Sequence, residues 1–349
     1  MSGVHRSRRA RLAALLGEHD VDAILVTRGV NVRYLTGLSS SNAAVLVRED
    51  GSAVLATDFR YIETARAACP GVELVEQRDV AGALAAMAAR PGIEAHDMSV
   101  ARYMELGGAL TPLDRLVEGL RVVKDEAEID ALRVACDLTD RAFADVVATL
   151  APGMTERQVA RALESRMMEL GAEGLAFESI VASGPNGSVP HHTPSDRPIE
   201  RGDLVTMDFG ARHDGYHADM TRTVAVGAVS GWQRELYDLV REAQRAGRRA
   251  LSPGAGPGEV DAAARDLIRD AGHGEHFGHG LGHGVGLEIH EDPFLRPTGA
   301  GRLDDRVPIT VEPGVYLPGR GGVRIEDTLV TRAGGPELLT RTTRELLVL

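Results

Sequence analysis

The chain has 349 residues, 43% apolar and 26% charged, an ordinary globular composition but too long for one average core, so two domains are expected. Its 39 Lys and Arg against 51 Asp and Glu leave a net charge of −12, which argues against a nucleic-acid partner because a phosphate backbone would be repelled. The two cysteines, Cys69 and Cys136, exclude a disulfide framework and a thiolate-rich zinc site, and fit a reducing cytoplasm.

In chain order, residues 8–18 read as an amphipathic helix. The apolar run at 12–16 is too short for a signal or membrane helix, and the twin arginines Arg8 and Arg9 lack the apolar region that an export signal needs, so neither export nor a membrane is expected. Residues 23–26, 43–47 and 53–56 read as strands and 58–68 and 80–89 as helices, the second ended by Pro91-Gly92, which makes the first third α/β. Residues 120–126 read as an extended stretch leading into a long helix through 148, with Ile129, Leu132, Val134, Leu138 and Val146 spaced for one buried face. A domain boundary near residue 121 follows, giving domains 1–121 and 122–349. Pro152-Gly153 forms a turn, Thr155 is a candidate cap for a helix to 170, and the remainder is strand-rich.

The chemistry lies in that remainder. Residues 204–210 form an apolar strand containing Asp208, and 219–226 a second strand that begins with Asp219. A two-residue loop at 213–214 or at 214–215 closes them as a hairpin, and in either register both aspartates project from the same sheet face. A second hairpin, 309–316 with 323–329, folds about Gly319 and sets Glu312 opposite Glu326. Four carboxylates delivered in two pairs repel one another unless protonated or matched by cations, and metal ions are the usual answer. Between the hairpins, His279, His283 and His290 lie in a run where glycine alternates from Gly278 to Gly286; this spacing lacks the dinucleotide fingerprint and lets backbone approach a site closely. One histidine with four carboxylates makes a ligand set for two metal ions, oxygen-rich enough to favour manganese or cobalt over a structural zinc. Two ions about 3.5–4 Å apart activate water and hold a carbonyl oxygen, which points to hydrolysis.

These residues resemble the pita-bread metallopeptidases, in the Xaa-Pro aminopeptidase and prolidase branch, over nearly the whole chain. In the first domain, Asn31-Val32-Arg33-Tyr34-Leu35-Thr36-Gly37 and Thr57-Asp58-Phe59-Arg60-Tyr61 resemble that branch's creatinase-type domain. The resemblance implies an α/β creatinase-like amino-terminal domain followed by an α+β pita-bread catalytic domain, with helices packed on a curved antiparallel sheet and two divalent metal ions inside, manganese first, then cobalt or zinc. It implies that Asp208 chelates one ion, that Asp219 and Glu326 bridge both, and that His283 with Glu312 completes the other shell. Glu312 would also be the general base, His279 and His290 would stabilise the tetrahedral intermediate and orient substrate, and His191 would bind substrate. His192 is set aside, since strand alternation points it away. Arg324 would hold the ligands through hydrogen bonds, and Arg296 is a candidate to cap the carboxylate of a substrate proline. The expected activity is removal of the first residue from peptides with proline second, by a cytoplasmic homodimer. The alternatives are Xaa-Pro dipeptidase activity, which the motifs do not separate, and an inactive partner-binding relative, against which the intact ligands argue.

Overall fold

The computed structural model describes residues 2–349 and divides into two compact units, Met1–Arg121 and Val122–Leu349. The first unit is built on a six-stranded mixed sheet whose spatial order is Glu73–Glu76, Ala53–Thr57, Ala43–Arg48, Ala23–Val26, Pro91–Glu94 and Thr111–Leu113. The two neighbours Ala43–Arg48 and Ala53–Thr57 form an antiparallel hairpin, while Ala23–Val26 pairs in parallel with Pro91–Glu94. Helices cover the sheet, so Leu25, Leu46, Val54 and Ile93 are buried.

Several local expectations shift here. The first helix runs Ser2–Leu16, and the helix expected from residue 58 begins at Ile62 because the Asp58 carboxylate instead closes a turn on Arg60. Pro91-Gly92 does not merely end a helix. The helix stops at Ala85, and Pro91 opens an inner strand, a first-residue position where its missing N–H is tolerated. The stretch 120–126 is not extended throughout, since Leu116–Val122 is helical and the long helix starts anew at Glu126 behind a capping box between Asp125 and Glu128. Val134 is exposed at 41%, whereas Ile129, Leu132, Leu138 and Val146 are buried as the spacing predicts.

The second unit repeats one theme twice. Helices Glu126–Val147 and Glu156–Glu169 pack on the antiparallel strands Ile180–Ser183, Leu204–Phe209 and Met220–Ala225. Helices Gly231–Ala250 and Pro257–Ile268 pack on a five-stranded sheet containing Gly282–Gly284, Pro308–Val311 and Asp327–Val330. Each strand divides its residues by the two-residue period. Val205, Met207 and Phe209 join Phe143, Leu163 and Met167 in one core; Ile309, Val311, Val323 and Ile325 join Val240, Ala264 and Ile268 in the other. At roughly 1.5–3 kcal/mol for each buried aliphatic side chain, these cores fix the register. Register in turn sends the alternate residues, Asp208, Thr310, Arg324 and Glu326, to the opposite face. This is the pita-bread arrangement that the resemblance implies.

A candidate metal centre

The first hairpin closes at Asp214-Gly215, with His213 opposite Tyr216 and Asp208 opposite Thr221. That register puts Asp219 on the same face as Asp208, one step along. In the second hairpin Val311 pairs with Asp327 and Gly314 with Arg324, so one continuous register sets Glu312 opposite Glu326. At that point the ladder opens. The Glu326 N–H donates to Thr221 O at 3.0 Å and the Glu312 N–H to Leu281 O at 2.8 Å, stitching this hairpin to the segments that carry Asp219 and His283. His283 sits between Gly282 and Gly284 because a side chain at either glycine would strike the neighbouring strands, Thr310 O lying 1.9 Å and Asp292 O 2.3 Å from the added carbon.

All four carboxylates and His283 line one cavity of about 480 Å³, with Phe177, Ile180, Ile289 and Phe294 forming apolar wall. Asp219, His283 and Glu326 each offer a donor atom within 4.8 Å of the other two. His283 Nδ1–H donates to Gly284 O at 3.0 Å, which leaves the Nε2 lone pair facing Glu312 Oε1 at 3.3 Å and Asp219 Oδ2 at 3.5 Å. Burial holds this imidazole down to about 4, so no proton occupies Nε2 at neutral pH. A lone pair aimed at two carboxylate oxygens calls for a cation between them or, in ion-free protein, a proton on one of those carboxyls.

Two further observations agree. Asp208 Oδ2 accepts from Arg324 and Glu326 Oε2 from Thr221, yet Asp208 Oδ1 and Glu326 Oε1 are buried without any hydrogen-bond partner. Burial and then mutual repulsion push Asp219 and Glu326 well above the carboxylate range, and burial pushes Glu312 up to about 8. The donor set therefore fits divalent ions, with Asp208, Asp219, His283, Glu312 and Glu326 able to hold them. The other His and carboxylate grouping among the described residues, Glu94, His96 and Glu118, is more fully engaged, although Glu118 Oε2 and His96 Nδ1 are also buried without a partner there. Its carboxylates already accept from Asn31, the Arg28 guanidinium and backbone N–H groups.

The raised carboxyls have a pH consequence. Between its ordinary value near 4.5 and about 8, Glu312 keeps a proton in the folded state that the unfolded chain gives up, so its contribution to the stability of ion-free protein falls as pH rises. His279 and His283, both held down to about 4, act in the opposite sense as pH falls below 6.5. Proton release is thus the cleaner readout. Binding of a divalent ion at pH 7 is expected to expel protons, seen by calorimetry in buffers of different ionisation enthalpy, and Glu312→Gln to expel fewer. Equal, zero release from both proteins would contradict the carboxyl crowding.

The remaining expected residues divide. Arg324 is buried and bridges the cluster, donating to Asp208 at 2.7 Å, Thr221 Oγ1 at 3.0 Å and Tyr316 OH at 2.9 Å. His279 is engaged on both sides. Its Nδ1–H donates to Gly280 O, so its Nε2 accepts from Tyr316, whose oxygen accepts in turn from Arg324. His191 and His290 line the cavity and make no hydrogen bond within the described residues; the His290 ring meets His283 edge-on at 4.4 Å between centroids. His192 donates to Glu156. Arg296 is exposed, stands one residue beyond the strand Glu291–Leu295, lies over the ring of Phe294 and is absent from the cavity lining, so the structure does not bring it to the site. Sequence reasoning missed Tyr316, Thr310 and Thr221. The signal was available, since Thr310 and Tyr316 share the alternate positions of Glu312, and Thr221 that of Asp219. Among the described residues no helix is long and apolar enough to cross a membrane.

Comparison with known proteins agrees with this geometry. Residues 130–333 match the Metallopeptidase family M24 and residues 8–123 the Creatinase/Prolidase N-terminal domain. The chain is 36% identical to a Xaa-Pro dipeptidase of Pyrococcus furiosus over 98% of its own length and 100% of that protein. Among solved structures, a Xaa-Pro dipeptidase from Bacillus anthracis is 37% identical, with a TM-score of 0.96 over 99% of this chain and 100% of that one. An X-Pro aminopeptidase from Thermotoga maritima is 35% identical, with a TM-score of 0.89 over 97% and 100%. The chain, its carboxylate and histidine cluster enclosed in a fold shared end to end with these enzymes, belongs to metallopeptidase family M24 and is a metallopeptidase.

Proposed function

We propose that this metallopeptidase hydrolyses Xaa-Pro dipeptides, using two divalent ions, manganese first, held by Asp208, Asp219, His283, Glu312 and Glu326. The observation that carries the substrate assignment is the end-to-end likeness to proteins named Xaa-Pro dipeptidase. It moves the reading from aminopeptidase, expected from the motifs, to dipeptidase. The Thermotoga maritima structure keeps aminopeptidase activity as the second reading.

Ions bound there would supply Lewis acidity, polarising the scissile carbonyl and lowering the pKa of the attacking water. The chain's own groups do the rest. Glu312, steadied by a hydrogen bond from Thr310 at 3.1 Å, is the group assigned to take the water's proton. Arg324 fixes Asp208 and, through Tyr316, locks the neutral tautomer of His279. His290 and His191 keep their ring nitrogens for substrate. Proline's tertiary amide has no N–H, so a selective site must read its ring and carbonyl side, which suits histidine donors set in an apolar wall.

The test is a panel of Xaa-Pro, Xaa-Pro-Yaa and Xaa-Ala-Yaa peptides under identical metal loading. Alanine in the second place is expected to slow cleavage at least about tenfold, roughly 1.4 kcal/mol of transition-state discrimination, with the dipeptide the best substrate. Cleavage of Xaa-Pro-Yaa at the dipeptide's rate would restore the aminopeptidase reading, and equal rates with proline and alanine would end proline selectivity.

A further inference from the structure

Glu156 is the first residue of helix Glu156–Glu169, is wholly buried, and does not line the cavity. Its carboxylate nevertheless accepts six hydrogen bonds from the segment that does. Oε1 takes Ser183 N at 2.7 Å, Ser183 Oγ at 2.8 Å and Asn186 Nδ2 at 2.9 Å; Oε2 takes His192 Nε2 at 2.8 Å, Ser195 N at 3.0 Å and Ser195 Oγ at 2.6 Å. These donors bracket Pro190 and His191 on both sides. Among the described residues the His191 side chain makes no hydrogen bond that would hold it on the cavity wall, which leaves its backbone to place it. On the cavity side, Pro190 O accepts from Arg324 at 3.4 Å, the guanidinium that also holds Asp208.

We propose that Glu156 is a positioning residue: its buried carboxylate gathers Ser183, Asn186, His192 and Ser195 so that the intervening loop presents His191 to the substrate. The inference rests on the reading of His191 as a substrate-binding group. The electrostatics support it, for burial alone would raise this carboxyl, whereas the donors from Ser195, Asn186, His192 and Ser183 outweigh burial and hold it down to about 2. The acceptor therefore stays ionised across working pH. An amide at this position presents NH₂ to one side of the cluster, where the hydroxyl and imidazole can turn to accept but a backbone N–H, from Ser183 or Ser195, is left facing a donor, and the negative charge that gathers the six bonds is gone.

The experiment is a double-mutant cycle of Glu156→Gln and His191→Ala in the metal-loaded enzyme, assayed on an Xaa-Pro dipeptide, with hydrogen exchange of residues 184–197 measured alongside. Misplacing a substrate-orienting group by about 1 Å costs on the order of 100-fold, so Glu156→Gln is expected to lower kcat/KM by roughly that factor with metal content unchanged. In the His191→Ala background the same change is expected to cost less than about threefold, because the group it positions is gone. Loop amides lose protection in Glu156→Gln, and amides elsewhere do not. Equal penalties in both backgrounds, or unchanged exchange in the loop, would overturn the proposal. If Glu156→Gln does not fold, Ser195→Ala removes one donor of the six, and its smaller loss must show the same non-additivity. Absence of Xaa-Pro cleavage by the unmodified enzyme would sink the substrate reading, and loop exchange would still decide the role of Glu156.

Discussion

Asp219→Asn and Glu326→Gln are each expected to cut turnover at least about a thousandfold, roughly 4 kcal/mol of transition-state stabilisation, in protein that remains folded. Asp219 faces the His283 lone pair from one side, and Glu326 carries one oxygen anchored by Thr221 and one with no partner. Removing either charge leaves the remaining donors short for two ions. The same substitutions relieve like-charge crowding, since the carboxyl of Asp219 is raised by burial first and then by Glu326, Asp208 and Glu312. In chelator, therefore, Asp219→Asn is expected to melt at or above the unmodified protein, although it is the inactive one. Steady-state kinetics and paired melting curves, with and without ions, check both halves. Near-normal turnover in either variant would refute the ligand assignment, and a lower melting temperature in chelator would refute the crowding.

Arg324→Met is expected to destabilise the second unit by about 3–5 kcal/mol, the usual cost of breaking one side of a buried ion pair, and to reduce activity at least about a hundredfold. Arg324 is 3% exposed, and its guanidinium serves Asp208, Thr221 and Tyr316 at once. Among the described residues no other side chain donates to Asp208 Oδ2, so its loss frees a carboxylate that the site needs fixed. Arg324→Lys keeps the charge but not the planar fork, and a single ammonium does not span three acceptors in three directions. It is expected to restore stability in part and activity hardly at all. Denaturant unfolding of the metal-loaded proteins beside their kinetics separates the two effects, and full activity in Arg324→Lys would reduce the role of Arg324 to its charge.

How far these residues were legible depends on what kind of signal each left. The hairpins were readable because short turns and a two-residue period fix register: Asp214-Gly215 sets Asp208 and Asp219 on one face, and a fold about Gly319 sets Glu312 against Glu326, as the strand pairing has it. Helix caps were readable for the same local reason, as with Thr155 and its partner Gln158. Tertiary facts were not. Nothing local marks Glu156 as the acceptor for four distant side chains, since helix-start glutamates are common and its partners lie 27–39 residues away. The surroundings of Arg296 were hidden for the same reason. It was a candidate to cap a proline carboxylate, yet it stands one residue past the strand Glu291–Leu295 and lies over the ring of Phe294, which lines the cavity in its place. The stretch 120–126 reads as extended chain, whereas its first residues end the helix Leu116–Val122 and the capping box at Asp125 starts a second helix four residues on.

The most direct measurement takes chelated protein, verified free of metal, and follows Xaa-Pro dipeptide hydrolysis and bound manganese together as the ion is added back. Activity is expected to be absent at the start and to level off at about two ions per chain, with Asp219→Asn neither binding this complement nor regaining turnover. Full activity in excess chelator, with metal content shown to be negligible, would contradict the metal centre outright.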